Sequence, residues 1–264
     1  MNEMKAMGEM GEMSDDRFPA PGTAALAADG SLLLGARRIP LPASVSPQAR
    51  AFLAMPRVTL GDRPPLADKE AWRRWVTTMN LGSEPRVAQM MALVGDRVRL
   101  ATRAPGSVAI SGASAGGNIA AAAALKARDL GLALPGALGL FTPECDLTES
   151  GDSFVTNLDV DNVLPGPLPE EIALYADGAD LRDPYLSPLF GDFTPGYPPT
   201  QIQTGTRDLF LSNSVRMHRA LRAAGVTAEL HVWEAMPHGG FGFDAPENAD
   251  ARCEFNDFLE RHLG

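Results

Sequence analysis

Cationic side chains are in short supply: 23 Lys and Arg stand against 33 Asp and Glu, for a formal charge of −10 at neutral pH. Nucleic-acid binding draws on clustered Lys and Arg that displace counterions from phosphates, so a chain with no basic stripe is not expected to take such a partner. Cysteine is scarcer still. Cys145 and Cys253 stand alone without a CxxC partner, which argues against both a disulfide framework and a cysteine-based zinc site. Long apolar runs are missing as well. The longest alanine stretch, Ala120 to Ala124, cannot span a bilayer, and the N-terminal MNEMKAMGEMGEMSDDRF contains no signal-peptide core. A cytoplasmic protein without a membrane span is therefore expected, with residues 1–44 as a disordered or irregular tail.

What is present suffices for a substantial core, since 45% of the 264 residues are hydrophobic. Trp72, Trp75, Val76 and Met79 recur at helical spacing, as do Val87, Met90, Met91 and Val94, which predicts a helical region over 45–96. From residue 97 the period changes. Val98, Leu100 and Thr102 alternate with more polar neighbours as in a short strand, SVAISG predicts a buried strand, and IAAAAALKARDLG predicts a helix stopped by Gly131. PGALGLF, PPTQIQTGT and TAELHVWE predict further strands. SNSVRMHRALRAAG and the segment bearing Phe255, Phe258, Leu259 and Leu263 predict further helices. Strands alternating with helices imply an α/β fold over 97–264, a mostly parallel sheet with helices on both faces.

The stretch Ser111-Gly112-Ala113-Ser114-Ala115-Gly116-Gly117-Asn118 sets a GxSxG between a strand and a helix. Glycines at 112 and 116 would let the backbone pass close to a strained turn that lifts the Ser114 hydroxyl above the sheet. The helix N-terminus behind it offers N–H groups to a developing oxyanion. A serine nucleophile needs a base, and the base needs an orienting carboxylate, in the chain order Ser, acid, His for this kind of turn. Of the four histidines, His218 falls in a predicted helix, His231 in a strand and His262 in the terminal turn, whereas His238 lies in the loop AMPHGGF after a strand. Asp208, in QTGTRDLF, sits at the carboxyl end of a strand, where catalytic groups gather in parallel sheets. Asp177, Asp180 and Asp183 read as turn residues, and Asp159 and Asp161 in LDVDN hint weakly at a metal loop without further ligands at calcium spacing.

These segments resemble the hormone-sensitive-lipase-like branch of the α/β-hydrolase family, the bacterial esterases and lactone hydrolases. SGASAGGN is similar to its nucleophile elbow, FTPECDLTESGDSF to the following strand and loop, and DPYLSPLF, QTGTRDLFLSNS and EAMPHGGF to its later signatures. The resemblance implies an α/β-hydrolase fold with Ser114 as nucleophile, Asp208 as acid, His238 as base and the Ala115 N–H as the main oxyanion donor. It implies no cofactor and no metal, a small-molecule ester or lactone as substrate, and a cap formed by 45–96 with an insertion near 152–183. It also implies an HGGG-type oxyanion loop upstream of the elbow, which the sequence lacks; HGGF at 238–241 follows the nucleophile. Ala113 stands where the family's elbow carries an acidic residue. About three early strand–helix units have no counterpart, as after an internal deletion, a mis-joined gene model, or in a minimal variant that completes its sheet as a homo-oligomer. The function expected is a serine carboxylesterase on short-acyl esters or lactones, acting through an acyl-enzyme. The alternative is an inactive hydrolase-like remnant or binding protein.

Overall fold

The computed structural model describes residues 24–27, 32–57, 61–78, 104–164, 166–193, 196–242 and 244–263. The helix expected around Val87 to Val94 and the alternating strand at 98–102 lie outside them. Residues 1–41 and 42–264 form two compact units. In the first, within the stretch expected to be irregular, β1 (Ala24–Leu26) and β2 (Leu32–Leu34) pair antiparallel with Ala25 opposite Leu33.

The second unit opens with α1 (Pro47–Leu53). Pro47 starts the helix, where its missing N–H is no loss, and the Ser46 hydroxyl caps it by accepting from the Ala49 N–H at 3.1 Å. Residues 69–78 form α2. Trp72 is buried and Trp75 meets it edge-on at 5.4 Å, whereas Val76 is 42% exposed, so the buried stripe is narrower than its spacing suggests. The elements β3 (Ala109–Ala113), α3 (Ala115–Asp129), β4 (Ala137–Phe141), α4 (Ser153–Thr156), α5 (Pro169–Ala176), β5 (Thr200–Gly205), α6 (Leu211–Ala223), β6 (Ala228–Trp233) and α7 (Pro246–Leu263) follow. The four strands pair in parallel in the order β3-β4-β5-β6, each crossover carrying at least one helix.

Alternation along the strands sorts the helices into two layers. Leu138, Leu140 and Ile202 point to one face, where they join Ala121, Ala124 and Leu125 of α3 and Met217 and Leu221 of α6 in the main core. Truncating any of these leucines to alanine would cost about 2–5 kcal/mol. The opposite face belongs to α7. Gly139 leaves room there for the Phe255 ring, which a Cβ would approach to 2.3 Å, and Phe141 meets the same ring edge-on at 5.3 Å. Beside them Gln201 donates to the Glu254 carbonyl at 3.1 Å. Gln203 donates to the Ala251 carbonyl and to Gln201 Oε1, both at 2.9 Å.

β3 departs from the buried strand expected of SVAISG: Ile110 is 39% exposed, and Ser111 and Ala113 are exposed too. Among the described residues β3 is a border strand paired with β4 alone. A short apolar run states that a strand can be covered, not what covers it. No helix among the described residues is long and apolar enough to cross a membrane.

Candidate active site

The chain leaves β3 at Ala113 and enters α3 at Ala115, so Ser114 alone turns it. Its φ of 56° and ψ of −125° place a non-glycine residue in the left-handed half of backbone space, at a cost of order 1–3 kcal/mol. The surroundings hold it there. Its N–H donates to the Phe141 carbonyl at 2.9 Å, and its own carbonyl accepts from Gly117, Asn118 and Glu144 at 2.9, 3.2 and 3.3 Å. The two glycines of the motif are unequal. A Cβ on Gly112 would lie 2.1 Å from the Gly116 carbonyl oxygen, whereas one on Gly116 would meet nothing within 4 Å among the described residues. The close approach falls instead to Gly117, whose added Cβ would stand 2.8 Å from Pro143.

The turn brings Ser114 Oγ to 2.9 Å from His238 Nε2, and His238 Nδ1 to 3.0 Å from Asp208 Oδ1. The three residues expected from the sequence thus meet at the carboxyl edge of the sheet. A carboxylate can only accept, so Asp208 selects the imidazole tautomer with hydrogen on Nδ1 and leaves Nε2 to accept from the serine hydroxyl. Asp208 is fully buried. Thr204 Oγ1 donates to its Oδ2 at 2.7 Å and the Phe210 N–H to its Oδ1 at 3.0 Å. The Phe210 ring meets the imidazole edge-on at 4.8 Å, filling the space in which His238 could tilt. Ala115, the expected oxyanion donor, opens α3, where a first-turn N–H has no partner within the helix.

In its sequence setting, LDVDN, Asp161 carries only a hint of metal binding. Here it is fully buried: Oδ2 accepts from the N–H groups of Leu209 and His238 at 3.0 and 3.1 Å, and Oδ1 from Val163 and Leu164 at 2.9 and 3.1 Å. One side chain therefore ties the loop bearing Asp208 to the loop bearing His238. Asn157 braces the first loop by donating to the Asp208 and Thr206 carbonyls at 2.8 and 3.2 Å. Burial, and then the Asp208 charge, hold the Asp161 pKa above the usual carboxylate range against three backbone hydrogen bonds that lower it. Burial depresses His238, but the Asp208 hydrogen bond and charge, with Asp161 and Glu144 behind them, outweigh it and raise the imidazole above its ordinary value. Glu144 follows β4 beside the elbow, and burial pushes its carboxyl up to about 7, with Glu149 adding to the rise and His238 opposing it.

A cavity of about 400 Å³ opens beside the imidazole, with Phe52, Phe141, Val163 and Met236 among its apolar walls and Asn248 and Arg252 among its polar ones. The remaining histidines lie elsewhere: His218 on α6, His231 on β6 between Glu229 and Glu254, and His262 against Phe258. Asp180 and Asp183 accept from nearby backbone N–H groups as turn residues do, Asp177 ends α5, and exposed Asp159 pairs with Arg57 at 3.0 Å. Cys145 is buried and Cys253 exposed, both as free thiols.

A family model described as the alpha/beta hydrolase fold matches residues 82–242. An acetyl-hydrolase of Streptomyces hygroscopicus is 34% identical over 51% of this chain and 45% of its own length. An esterase of Acinetobacter venetianus is 32% identical over 58% of this chain and 52% of its own. The chain thus spans about half the length of these relatives. Among solved structures, an esterase from the bacterial hormone-sensitive lipase family is 30% identical with a TM-score of 0.57, covering 76% of this chain and 61% of that one.

Proposed function

The chain belongs to the α/β-hydrolase fold family, in its hormone-sensitive-lipase-like branch, and from that premise we propose that it is a serine carboxylesterase acting on short-acyl esters or lactones. The observation that carries the reading is the unbroken relay from Ser114 Oγ through His238 to Asp208, with its two contacts at 2.9 and 3.0 Å, built on a strained elbow. Ser114 attacks the ester carbonyl while His238 Nε2 takes its proton, and the imidazolium is held by Asp208. The oxyanion forms beside the first turn of α3, where the Ala115 N–H and the positive end of the helix dipole stabilise it. His238 then returns the proton to the leaving alkoxide. Water, deprotonated by the same imidazole, clears the acyl-enzyme. The cavity of about 400 Å³ beside the imidazole suits a short acyl or alkoxy chain and agrees with the esterase and acetyl-hydrolase names of the relatives.

The alternative, a non-catalytic member of the fold, is favoured by the absence of an HGGG sequence upstream of the elbow. One experiment separates them: turnover of p-nitrophenyl butyrate and labelling by a fluorescent organophosphonate, with Ser114→Ala alongside. The esterase reading expects labelling confined to Ser114 and a fall in kcat/KM of about 1,000-fold or more in the variant. A folded protein that neither labels nor turns over the ester overturns it.

A further inference from the structure

Glu144 takes no part in the relay, yet it is fastened beside it. Its N–H donates to the Ser114 carbonyl at 3.3 Å, and its carbonyl accepts from Asn118 Nδ2 at 2.7 Å. The residue is only 7% exposed, and its Oε1 is buried with no hydrogen-bond partner among the described residues. Buried carboxyl oxygens without partners are rare in native proteins, because desolvating them without replacing the lost hydrogen bonds is unfavourable. The charges that act on Glu144 are Glu149 of the same loop, Glu171 of α5, and His238 of the loop after β6. Among the described residues, the cations that pair with neighbouring acids are already engaged. Arg63 pairs with Glu171 and comes within 3.9 Å of Glu170, and Arg216 is engaged by Asp146 at 2.6 Å. Behind His238 stand two further buried acids, Asp208 and Asp161. The surroundings of the nucleophile thus carry several acids around an unpaired carboxyl oxygen.

We propose that Glu144 is a specificity-determining residue that selects esters whose acyl or alkoxy chain carries a protonated amine near the scissile carbonyl. The proposal rests on the esterase reading given above. An ammonium group supplies both things this corner lacks, a hydrogen-bond donor for the carboxyl and a positive charge among carboxylates. It also carries a signature that a hydroxyl would not. Burial holds the Glu144 carboxyl at about 7, so below that pH a bound ammonium has to expel its proton. The preference for the amine should therefore strengthen as pH rises toward and past 7 and then level off while the amine remains charged.

Three ethyl esters of nearly equal size test this: ethyl 3-aminopropanoate, ethyl 3-hydroxypropanoate and ethyl butanoate. At about pH 8 the amino ester is expected to exceed the butanoate by about tenfold or more in kcat/KM, a ratio that falls toward acid. Glu144→Gln should lower that ratio about tenfold, and Glu144→Asp should keep part of it. The proposal is overturned if the ratio is unchanged in a folded Glu144→Gln protein, if it does not depend on pH, or if the hydroxy ester does as well as the amino ester. Should Glu144→Gln fail to fold, the pH dependence in the unaltered chain decides. Calorimetric binding of the same esters to Ser114→Ala reads the preference without turnover. Loss of all hydrolysis would then sink the esterase reading, while the binding comparison alone judges Glu144.

Discussion

Only a neutral imidazole can accept the Ser114 proton, so the raised pKa of His238 bears directly on the pH range in which the proposed reaction runs. For a neutral ester, kcat/KM is expected to rise with pH through a midpoint above the ordinary imidazole value of about 6.5. Asp161→Asn removes one of the charges that hold the imidazole up, so the midpoint should move toward acid, and kcat should fall as the His238 N–H loses its carboxylate acceptor. A pH–rate profile with an unmoved midpoint would show that the charge at 161 does not reach the ring. Gly112 makes a second, purely steric demand. With a Cβ 2.1 Å from the Gly116 carbonyl oxygen, Gly112→Ala is expected to destabilise the fold by about 3 kcal/mol or more and to abolish phosphonate labelling, as urea unfolding and gel fluorescence would show. The GxSxG spacing led to the serine but treated its two glycines alike. Which of them is crowded depends on the Gly116 carbonyl of the turn itself, and the approach to Pro143 falls on Gly117, outside the motif; the spacing records neither.

Among elements, α1 is fixed to the start of α7 by one side chain. Glu247 accepts from the Ser46 N–H at 2.6 Å and from the Ser46 hydroxyl at 2.8 Å, while Phe52 of α1 walls the cavity beside His238. Glu247→Ala should therefore cost about 1–2 kcal/mol in a thermal melt and raise KM for a short ester more than it lowers kcat. An equal fall in kcat with KM unmoved would place the effect on the relay instead. The elements themselves were largely legible: the recurring strand–helix series located β4, β5 and β6, and alanine content located α3. Asp208 and His238 were legible because each follows such a strand. Asp161 and Asn157 were not, since each is joined to its partners by folding rather than by spacing. LDVDN looks like a metal loop until β5 and β6 bring the N–H groups of Leu209 and His238 onto one carboxylate. The exposure of β3 was hidden for a related reason, because it depends on what lies alongside and not on the strand's own residues.

For the molecule as a whole, the displaced pKa values pull stability in opposite directions. Asp146 and Glu247 are lowered because hydrogen bonds, to Asp146 from Thr148, Ser150 and Arg216 and to Glu247 from Ser46, outweigh burial. Their stabilisation is present above the unfolded carboxylate range and is lost as pH falls through the folded values. Glu144 behaves in reverse. Between its unfolded value of 4.5 and its folded value of about 7 the unfolded chain releases a proton that the folded one keeps, so stability falls with rising pH by up to about 1.4 kcal/mol per unit. His238, also raised, stabilises fully below its unfolded value and loses that contribution as pH rises through its folded one. Melting temperature should consequently peak in the weakly acidic range, near about pH 5, and Glu144→Gln should lift the neutral side of the curve. A melting temperature that climbs steadily from pH 5 to pH 8 would contradict this. The paired amides of β5 have a consequence of another kind. Gln201 and Gln203 grip α7 at the Glu254 and Ala251 carbonyls, about one helical turn apart, so they work as a vernier. A slip of α7 by even one residue along its axis breaks both grips and strands two buried amides, where a seam of leucines would have tolerated it. Since α7 starts at Pro246, shortly beyond His238, and Gln203 itself lines the cavity beside the imidazole, these amides meter where the imidazole stands.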